Sequence, residues 1–442
     1  MSQHHYTTKS NGLLERLFHL SSLNTNPKTE FIAGLTTFLT MSYIIIVNPL
    51  ILGDAGMDKG AVMVATCIAA AIGCFMMGLI ANFPIALAPG MGLNAYFAYS
   101  VVIHQGVSWQ VALAAVFCSG ILFLLLNFFK IREALVNAIP MALKMSITAG
   151  IGLFLALISL KNTGIIIQNN NTLVAMGDLF TYKTGLAALG FLLIIVLDQL
   201  RIRGAILISI LFITIISAIL GYSEFHGVVG AIPSIAPTFA QLDFSNLFRP
   251  DIVAIIFVFL LVDLFDSTGT LVGTAHRAGL LVNGKLPRLK RALLADSTAI
   301  IAGGVLGTSS TTPYIESASG VAAGGRSGLT AVVVGIFMLI SLFFAPIVSS
   351  VPVYATAPAL VYVGILMMQS LLHIDWKDMT EAAPAFLTIF FIPFTYSIAD
   401  GIAVGFISYA VIKLCTGKAK TVPYMVWIVA AIWLAKFYFI GG

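Results

Sequence analysis

Residues 84–94 read Pro84-Ile85-Ala86-Leu87-Ala88-Pro89-Gly90-Met91-Gly92-Leu93-Asn94, and residues 307–317 read Gly307-Thr308-Ser309-Ser310-Thr311-Thr312-Pro313-Tyr314-Ile315-Glu316-Ser317. Both lie among long apolar runs, and both are too rich in Gly or Pro for an ordinary helix. Pro89 brings no amide proton, and Gly90 and Gly92 tolerate unusual backbone angles. A short extended stretch followed by a half-helix suits each. Unpaired backbone groups at membrane depth are tolerable only in a protein-lined or wet cavity. Two half-helix N-termini facing each other would present amide donors and positive dipole ends to one small ligand.

The surrounding chain sets these breaks in a bilayer. Of 442 residues 59% are hydrophobic and 9% charged, whereas a soluble domain carries about 25% charged residues. Apolar runs cover 31–49, 61–82, 109–129, 146–160, 186–200, 205–220, 252–274, 292–306, 330–348, 359–372, 386–396, 402–414 and 425–440. With the two breaks the expected count is 13 to 15 spans, many close to the roughly 20 residues that cross a bilayer. Cys67, Cys74, Cys118 and Cys415 form no C-x-x-C pair, so neither a disulfide framework nor a metal site is expected. The net charge of +5 fits basic loops on one membrane side better than a nucleic-acid partner. Residues 1–30 are polar and mixed in charge, so no cleavable signal is expected.

Lys and Arg placement orients the chain. Arg277, Lys285, Arg288, Lys290 and Arg291 share a loop; Lys130 with Arg132, Arg201 with Arg203, and Arg326 mark others on the same side. The N-terminus is then cytoplasmic, and loops 50–60 and 161–181 fall outside. The stretch 425–440 is left as an extra span or an interfacial helix, with Lys436 favouring the interface.

The halves are alike in layout. Asp251 precedes the eighth span as Phe31 begins the first (251 − 31 = 220), and Pro313 repeats Pro89 (313 − 89 = 224). Seven segments per half is odd, so the second half is inverted. Inverted repeats with interrupted segments at matching positions point to a midplane substrate site in a transporter.

The eighth span carries Asp263, Asp266 and Thr270 at i, i+3 and i+7, which puts them on one helix face. Carboxylates inside a span cost a few kcal/mol each. Burial and mutual repulsion disfavour two charges at once, so one of the pair is a candidate proton carrier. Glu316 opens the second half-helix. Asp296 reads as structural, Asp400 as a turn residue, and Asp198 as the partner of Arg201 in a surface ion pair. His4, His5 and His19 lie in the tail, and His104, His226, His276 and His373 in loops, so no histidine proton relay is expected.

The strings TEFIAGLTTFLTMSYIIIVNP, ALAPGMGLNAYFAY, DLFDSTGTLVG, GTSSTTPYIESASGVAAGGRSGLTAVVVG and YATAPALVYVGILM resemble the bacterial guanine/hypoxanthine/adenine permeases, the AzgA-like branch of the nucleobase–cation symporters. The resemblance runs from about Leu13 to Leu414. It implies the uracil-transporter fold: an all-α polytopic membrane protein of fourteen transmembrane segments in a 7+7 inverted repeat. A core domain (spans 1–4 and 8–11) moves against a gate domain (spans 5–7 and 12–14), and spans 3 and 10 are each a short strand plus half-helix. Placed on this chain, it gives a tail at 1–30, core at 31–130 and 251–350, and gate at 131–250 and 351–442. It implies a substrate site of Glu316, Asp263, Asp266, Asn94, Gly90, Tyr314, Thr312 and Met91, with Asp266, Asp263 and Glu316 in proton coupling. Met91 stands where relatives of pyrimidine specificity carry an aromatic, which leaves Tyr314 as the nearest ring to stack on a base.

The resulting expectation is a proton-coupled symporter of purine nucleobases (adenine, guanine and/or hypoxanthine) in a bacterial inner membrane. No cofactor is expected beyond the proton, nor any enzymatic activity, because no nucleophile–base pair or metal cluster stands in the sequence. Membrane lipid is the expected surrounding, and a homodimer is implied by resemblance alone. The alternatives are a carrier of xanthine or uracil, or an uncoupled facilitator or channel. Anions fit poorly, since neither break nor the eighth span holds Lys or Arg.

Overall fold

The computed structural model describes residues 12–129, 139–169, 171–280 and 286–439. Lys130, Arg132, Lys285, His4 and His5, named above, lie outside the described residues, as does the side chain of Lys436.

Among the described residues, nine helical spans are long and apolar enough to cross a bilayer: Pro27–Asp54, Lys59–Ala81, Trp109–Phe128, Met141–Asn162, Tyr182–Gln199, Pro250–Arg277, Gly328–Ser350, Val353–His373 and Ile398–Cys415. The shorter helices Ala205–Ile219 and Met379–Phe394, the helix Leu289–Leu306 and two strand–helix segments bring the spans to fourteen, in a 7+7 inverted repeat. The first span consists of α1 (Pro27–Met41) and α2 (Ile44–Asp54), separated by Ser42 and Tyr43. Packing divides the helices into two groups. Spans 1, 2, 4, 8, 9 and 11 pack on one another, and spans 5, 6, 7, 12, 13 and 14 on one another. These are a core and a gate.

The two breaks meet within the core. Strand β1 (Leu87–Pro89) pairs antiparallel with β2 (Thr311–Pro313), with Leu87 opposite Pro313, Ala88 opposite Thr312 and Pro89 opposite Thr311. The register continues past both ends. The Gly90 amide donates to the Ser310 carbonyl at 2.9 Å, and the Tyr314 amide to the Ala86 carbonyl at 2.9 Å. Exchanging the strands turns one bond into the other, as an inverted repeat demands. Each strand then runs into a half-helix: Met91–Ala95, prolonged by a π-helical stretch Tyr96–His104, and Ser317–Ala322.

The glycines of the first break serve a purpose other than the expected one. Gly90 has an ordinary extended backbone, φ −75° and ψ 129°. What it requires is space: a Cβ there would lie 2.7 Å from Thr312 Oγ1, and one at Gly92 would lie 2.8 Å from Ile151 Cγ2. The missing side chains let the second break and the fifth span approach.

Within the gate, Lys413 is buried and its Nζ donates to Glu381 Oε1 at 2.6 Å and Thr380 Oγ1 at 2.7 Å, while the Tyr409 hydroxyl donates to the same carboxylate oxygen at 2.9 Å. Removing the ammonium leaves a largely buried carboxylate short of a donor. Lys413→Met is therefore expected to cost about 1–3 kcal/mol, measured as a lower midpoint of thermal unfolding in detergent.

One expectation changes. Asp198 forms no ion pair with Arg201 among the described residues; its carboxylate lies beside Tyr362 of the twelfth span. Arg201 has a positive φ of 57° and ends that helix rather than pairing along it. The last helix, Tyr424–Phe439, buries Val426, Val429, Ala430 and Trp433 and exposes Tyr424, Ile428, Ile432, Leu434 and Tyr438. It packs on the fourteenth span, and the side chain of Lys436, on which the interfacial expectation rests, lies outside the described residues.

Candidate functional site

The helix Pro250–Arg277 brings its carboxylates against β2. Residues 263 and 266 lie on one helix face, and 310 and 312 on one side of an extended chain, so the two periodicities meet. Ser310 Oγ lies 2.9 Å from Asp263 Oδ1 and 2.7 Å from Oδ2. Asp266 lies against Thr312, with Asp296 and Glu316 as its charged neighbours. Asp263 is fully buried, whereas Asp266 is half-buried. The second aspartate is the one that reaches open space.

Glu316 is also half-buried, and Tyr43 of the first span donates to its Oε1 at 2.6 Å. Beside it Ile315 is exposed. Gly269 and Gly273 are exposed as well, and a Cβ at either would meet nothing within 4 Å. The site therefore opens along the half of the helix that leads to Arg277, the side of the membrane where the basic loops lie.

Asn94 supplies the opposite polarity. It is fully buried, and its Oδ1 accepts from the Ser309 hydroxyl. Its Nδ2 has no hydrogen-bond partner among the described residues. Buried donors are normally satisfied, so an unpaired amide here marks a place for an acceptor. Met91 is 6% and Thr312 1% exposed. Tyr314 is 5% exposed, and its hydroxyl donates to the Pro89 carbonyl at 2.6 Å, making it a strut between the breaks. All eight residues expected at the site belong to the two breaks and the eighth span that meets them.

Several supporting residues were not singled out from the sequence. Tyr43 and Ser310 hold two of the carboxylates. Asn48 Nδ2 donates to Thr66 Oγ1 at 2.7 Å and Thr308 Oγ1 at 2.8 Å, pinning the second break to the first two spans. Asp296 is buried and accepts from Ser267 Oγ at 3.1 Å, in keeping with a structural reading. Polar side chains inside apolar spans were the available signal for Tyr43 and Asn48.

Because a Cβ at Gly90 would press on Thr312, Gly90→Ala is expected to disturb the Asp266 contact while sparing the fold. Uptake should fall by about tenfold or more, on the scale of one lost hydrogen bond to a charged group, at unchanged protein level in the membrane.

Comparison with known proteins agrees with this architecture. A family profile described as Permease family (Xan_ur_permease) matches residues 28–404. The chain is 48% identical over 444 residues to the adenine permease AdeP of Escherichia coli (strain K12), covering 100% of both chains. It is 45% identical to the guanine/hypoxanthine permease PbuG of Bacillus subtilis (strain 168), covering 97% of this chain and 100% of that one. Among solved structures, the transmembrane domain of the cyanobacterial bicarbonate transporter BicA matches with TM-score 0.65 at 14% identity, over 85% of this chain and 97% of that one. Murine Slc26a9, an anion transporter captured in the inward-facing state, matches with TM-score 0.67 at 13% identity, over 94% of this chain and 74% of that one. At such identities the structural matches speak for the fold alone. The family match, the near-complete relatives and the paired breaks agree: the chain belongs to the permease family, in the branch that holds the adenine and guanine/hypoxanthine permeases.

Proposed function

We propose that the protein is a proton-coupled symporter that imports purine nucleobases by alternating access. The observation that carries this reading is the pairing of two half-buried carboxylates, Glu316 and Asp266, with the unpaired amide of Asn94 where the two breaks meet. A purine base is planar and neutral, with N–H donors and ring-nitrogen acceptors on its edge. Glu316 and Asp266 would accept from its N–H groups, and Asn94 Nδ2 would donate to a ring nitrogen or carbonyl. Relatives named for adenine and for guanine/hypoxanthine support the substrate class.

In this reading Asp263 supports the second break through Ser310 and leaves ligand binding to Asp266. Asp266, at the open edge, is the proton carrier, because a carboxylate alternately neutral and charged at such a site links proton and ligand. The protein sits in a bacterial inner membrane with the basic loops and the N-terminus in the cytoplasm, as the excess of Arg and Lys on one side supports.

Uptake of labelled adenine, guanine and hypoxanthine into proteoliposomes tests the proposal. Accumulation above the external concentration is expected only with a proton gradient, inside alkaline. Equal uptake without the gradient would identify a facilitator, failure to accumulate a channel, and displacement by xanthine or uracil alone a different nucleobase.

A further inference from the structure

We propose that Tyr43 is the positioning residue that links Glu316 to a hinge in the first span, so that a change at the ligand site reaches both seams between core and gate. The inference rests on the function proposed above and extends it to a residue that does not itself bind the base.

Asp263 accepts from Ser310 of the second break and Asp296 from Ser267 of the eighth span. Glu316 takes its donor from elsewhere. Tyr43 is 1% exposed, and its hydroxyl donates to Glu316 Oε1 at 2.6 Å. It sits where α1 gives way to α2. There the Ile45 amide donates to the Ser42 carbonyl and the Ile46 amide to the Tyr43 carbonyl, both at 3.1 Å. Those are i to i+3 bonds, and a short tightened stretch inside a long helix is a common place for a hinge.

The two arms of this hinge touch the gate. On the basic side, Arg203 Nη1 donates to Thr36 Oγ1 of α1 at 2.8 Å. On the opposite side, α2 ends at Asp54, whose Oδ2 accepts from the Tyr99 hydroxyl at 2.8 Å. Tyr99 also faces Asn162 of the gate, and Ser100 Oγ donates to the gate's Tyr396 carbonyl at 3.1 Å. The space left in that seam, among Asp54, Tyr99, Ser159, Asn162 and Thr356, is about 20 Å³, room for about one water. The seam is closed on the side opposite the opening of the site.

A hydrogen bond to a charged carboxylate is roughly twice as strong as one to a neutral partner. When Glu316 is protonated, or shares its charge with a base N–H, its hold on Tyr43 weakens. The α1–α2 junction then loses its tether to the second break, and the arms gain freedom to change their contacts with the gate. A ligand shifts such an equilibrium only by binding its two states differently. Glu316 makes that difference when it meets the base, and Tyr43 passes it to the first span.

The test uses the purified full chain in two assays: equilibrium binding of labelled adenine, and uptake in proteoliposomes. In Tyr43→Phe the maximal uptake rate is expected to fall about tenfold or more, while the Kd for adenine stays close to wild type. A single cysteine at Thr356, reacted with an impermeant thiol reagent, should label at a ligand-dependent rate in the wild-type background and at a ligand-independent rate beside Tyr43→Phe. Tyr43→His, which keeps a ring donor, is the second variant and should retain more of the rate than Phe. Unchanged uptake, or a loss of affinity that matches the loss of rate, overturns the proposal; so does absence of both variants from the membrane, which assigns the hydroxyl to folding. Wild-type protein that binds no purine overturns the transport function itself and takes this proposal with it.

Discussion

Glu316→Gln is expected to abolish purine uptake while the protein reaches the membrane in normal amount. The side chain keeps its shape, so packing around the second half-helix is preserved. Two things change. Gln is neutral, so it holds neither a proton nor a charge at the open edge of the site. It also places an NH2 where one of two acceptor oxygens stood, which sets donor against donor when a base N–H approaches. A hydrogen bond to a charged group contributes about 1.5–3 kcal/mol, so binding alone should weaken about 10- to 150-fold, and the link from Glu316 through Tyr43 to the first span weakens with it. The measurement is concentrative uptake of labelled adenine beside an immunoblot of the membranes. Wild-type transport by this variant would sink the role given to Glu316.

Glu30→Ala is expected to give the largest loss of stability. Glu30 lies in the first turn of α1 and is fully buried. Its carboxylate accepts from the Arg326 amide at 2.9 Å, the Ser327 amide at 3.2 Å, Thr330 Oγ1 at 2.5 Å and Thr25 Oγ1 at 2.8 Å. It therefore closes the N-terminus of the eleventh span, where a negative charge is favoured, and holds the Thr25 side chain just ahead of its own helix. Arg326 in turn donates from Nη1 to the Val321 and Gly325 carbonyls, each at 2.7 Å, holding the end of the half-helix that begins beside Glu316. Alanine leaves the Ser327 amide and the Thr330 hydroxyl buried and unpaired. Each such donor costs about 1–3 kcal/mol. A clearly lower unfolding midpoint in detergent is expected, with a smaller drop for Glu30→Gln, which keeps one acceptor oxygen. An unfolding midpoint for Glu30→Ala equal to wild type would contradict this account.

The two residues differ in how far the sequence revealed them. Glu316 was legible because it stands next to Pro313 in a run that no ordinary helix would contain, inside an apolar region where a carboxylate is costly. Asp263 and Asp266 stood out for the same reason. Glu30 stood at the edge of the first apolar run, where an acidic residue in a first helical turn is unremarkable. Its four partners come from both sides of it in the chain, three of them about 300 positions away. No local pattern reports such a contact.

Local chemistry thus determined a good deal. Apolar runs of bilayer length placed the chain in a membrane, since hydrocarbon admits only segments that satisfy their own backbone. Gly and Pro at positions 89–92 and 313 marked the two interruptions, and their matched spacing disclosed the inverted repeat. What the sequence left open was settled by approach in space. Pairing of β1 with β2 decided that the breaks form one site, and the same pairing showed that Gly90 is needed for closeness rather than for backbone angle. Asp263 and Asp266 are equivalent by helical spacing; only the position of Ser310 and Thr312 against them, and the opening beside Gly269 and Gly273, told the buried one from the accessible one. Periodicity and composition are properties of neighbours along the chain. Which of two neighbouring carboxylates faces a cavity depends on what another segment places against them, and that is decided only when the halves of the repeat close on each other.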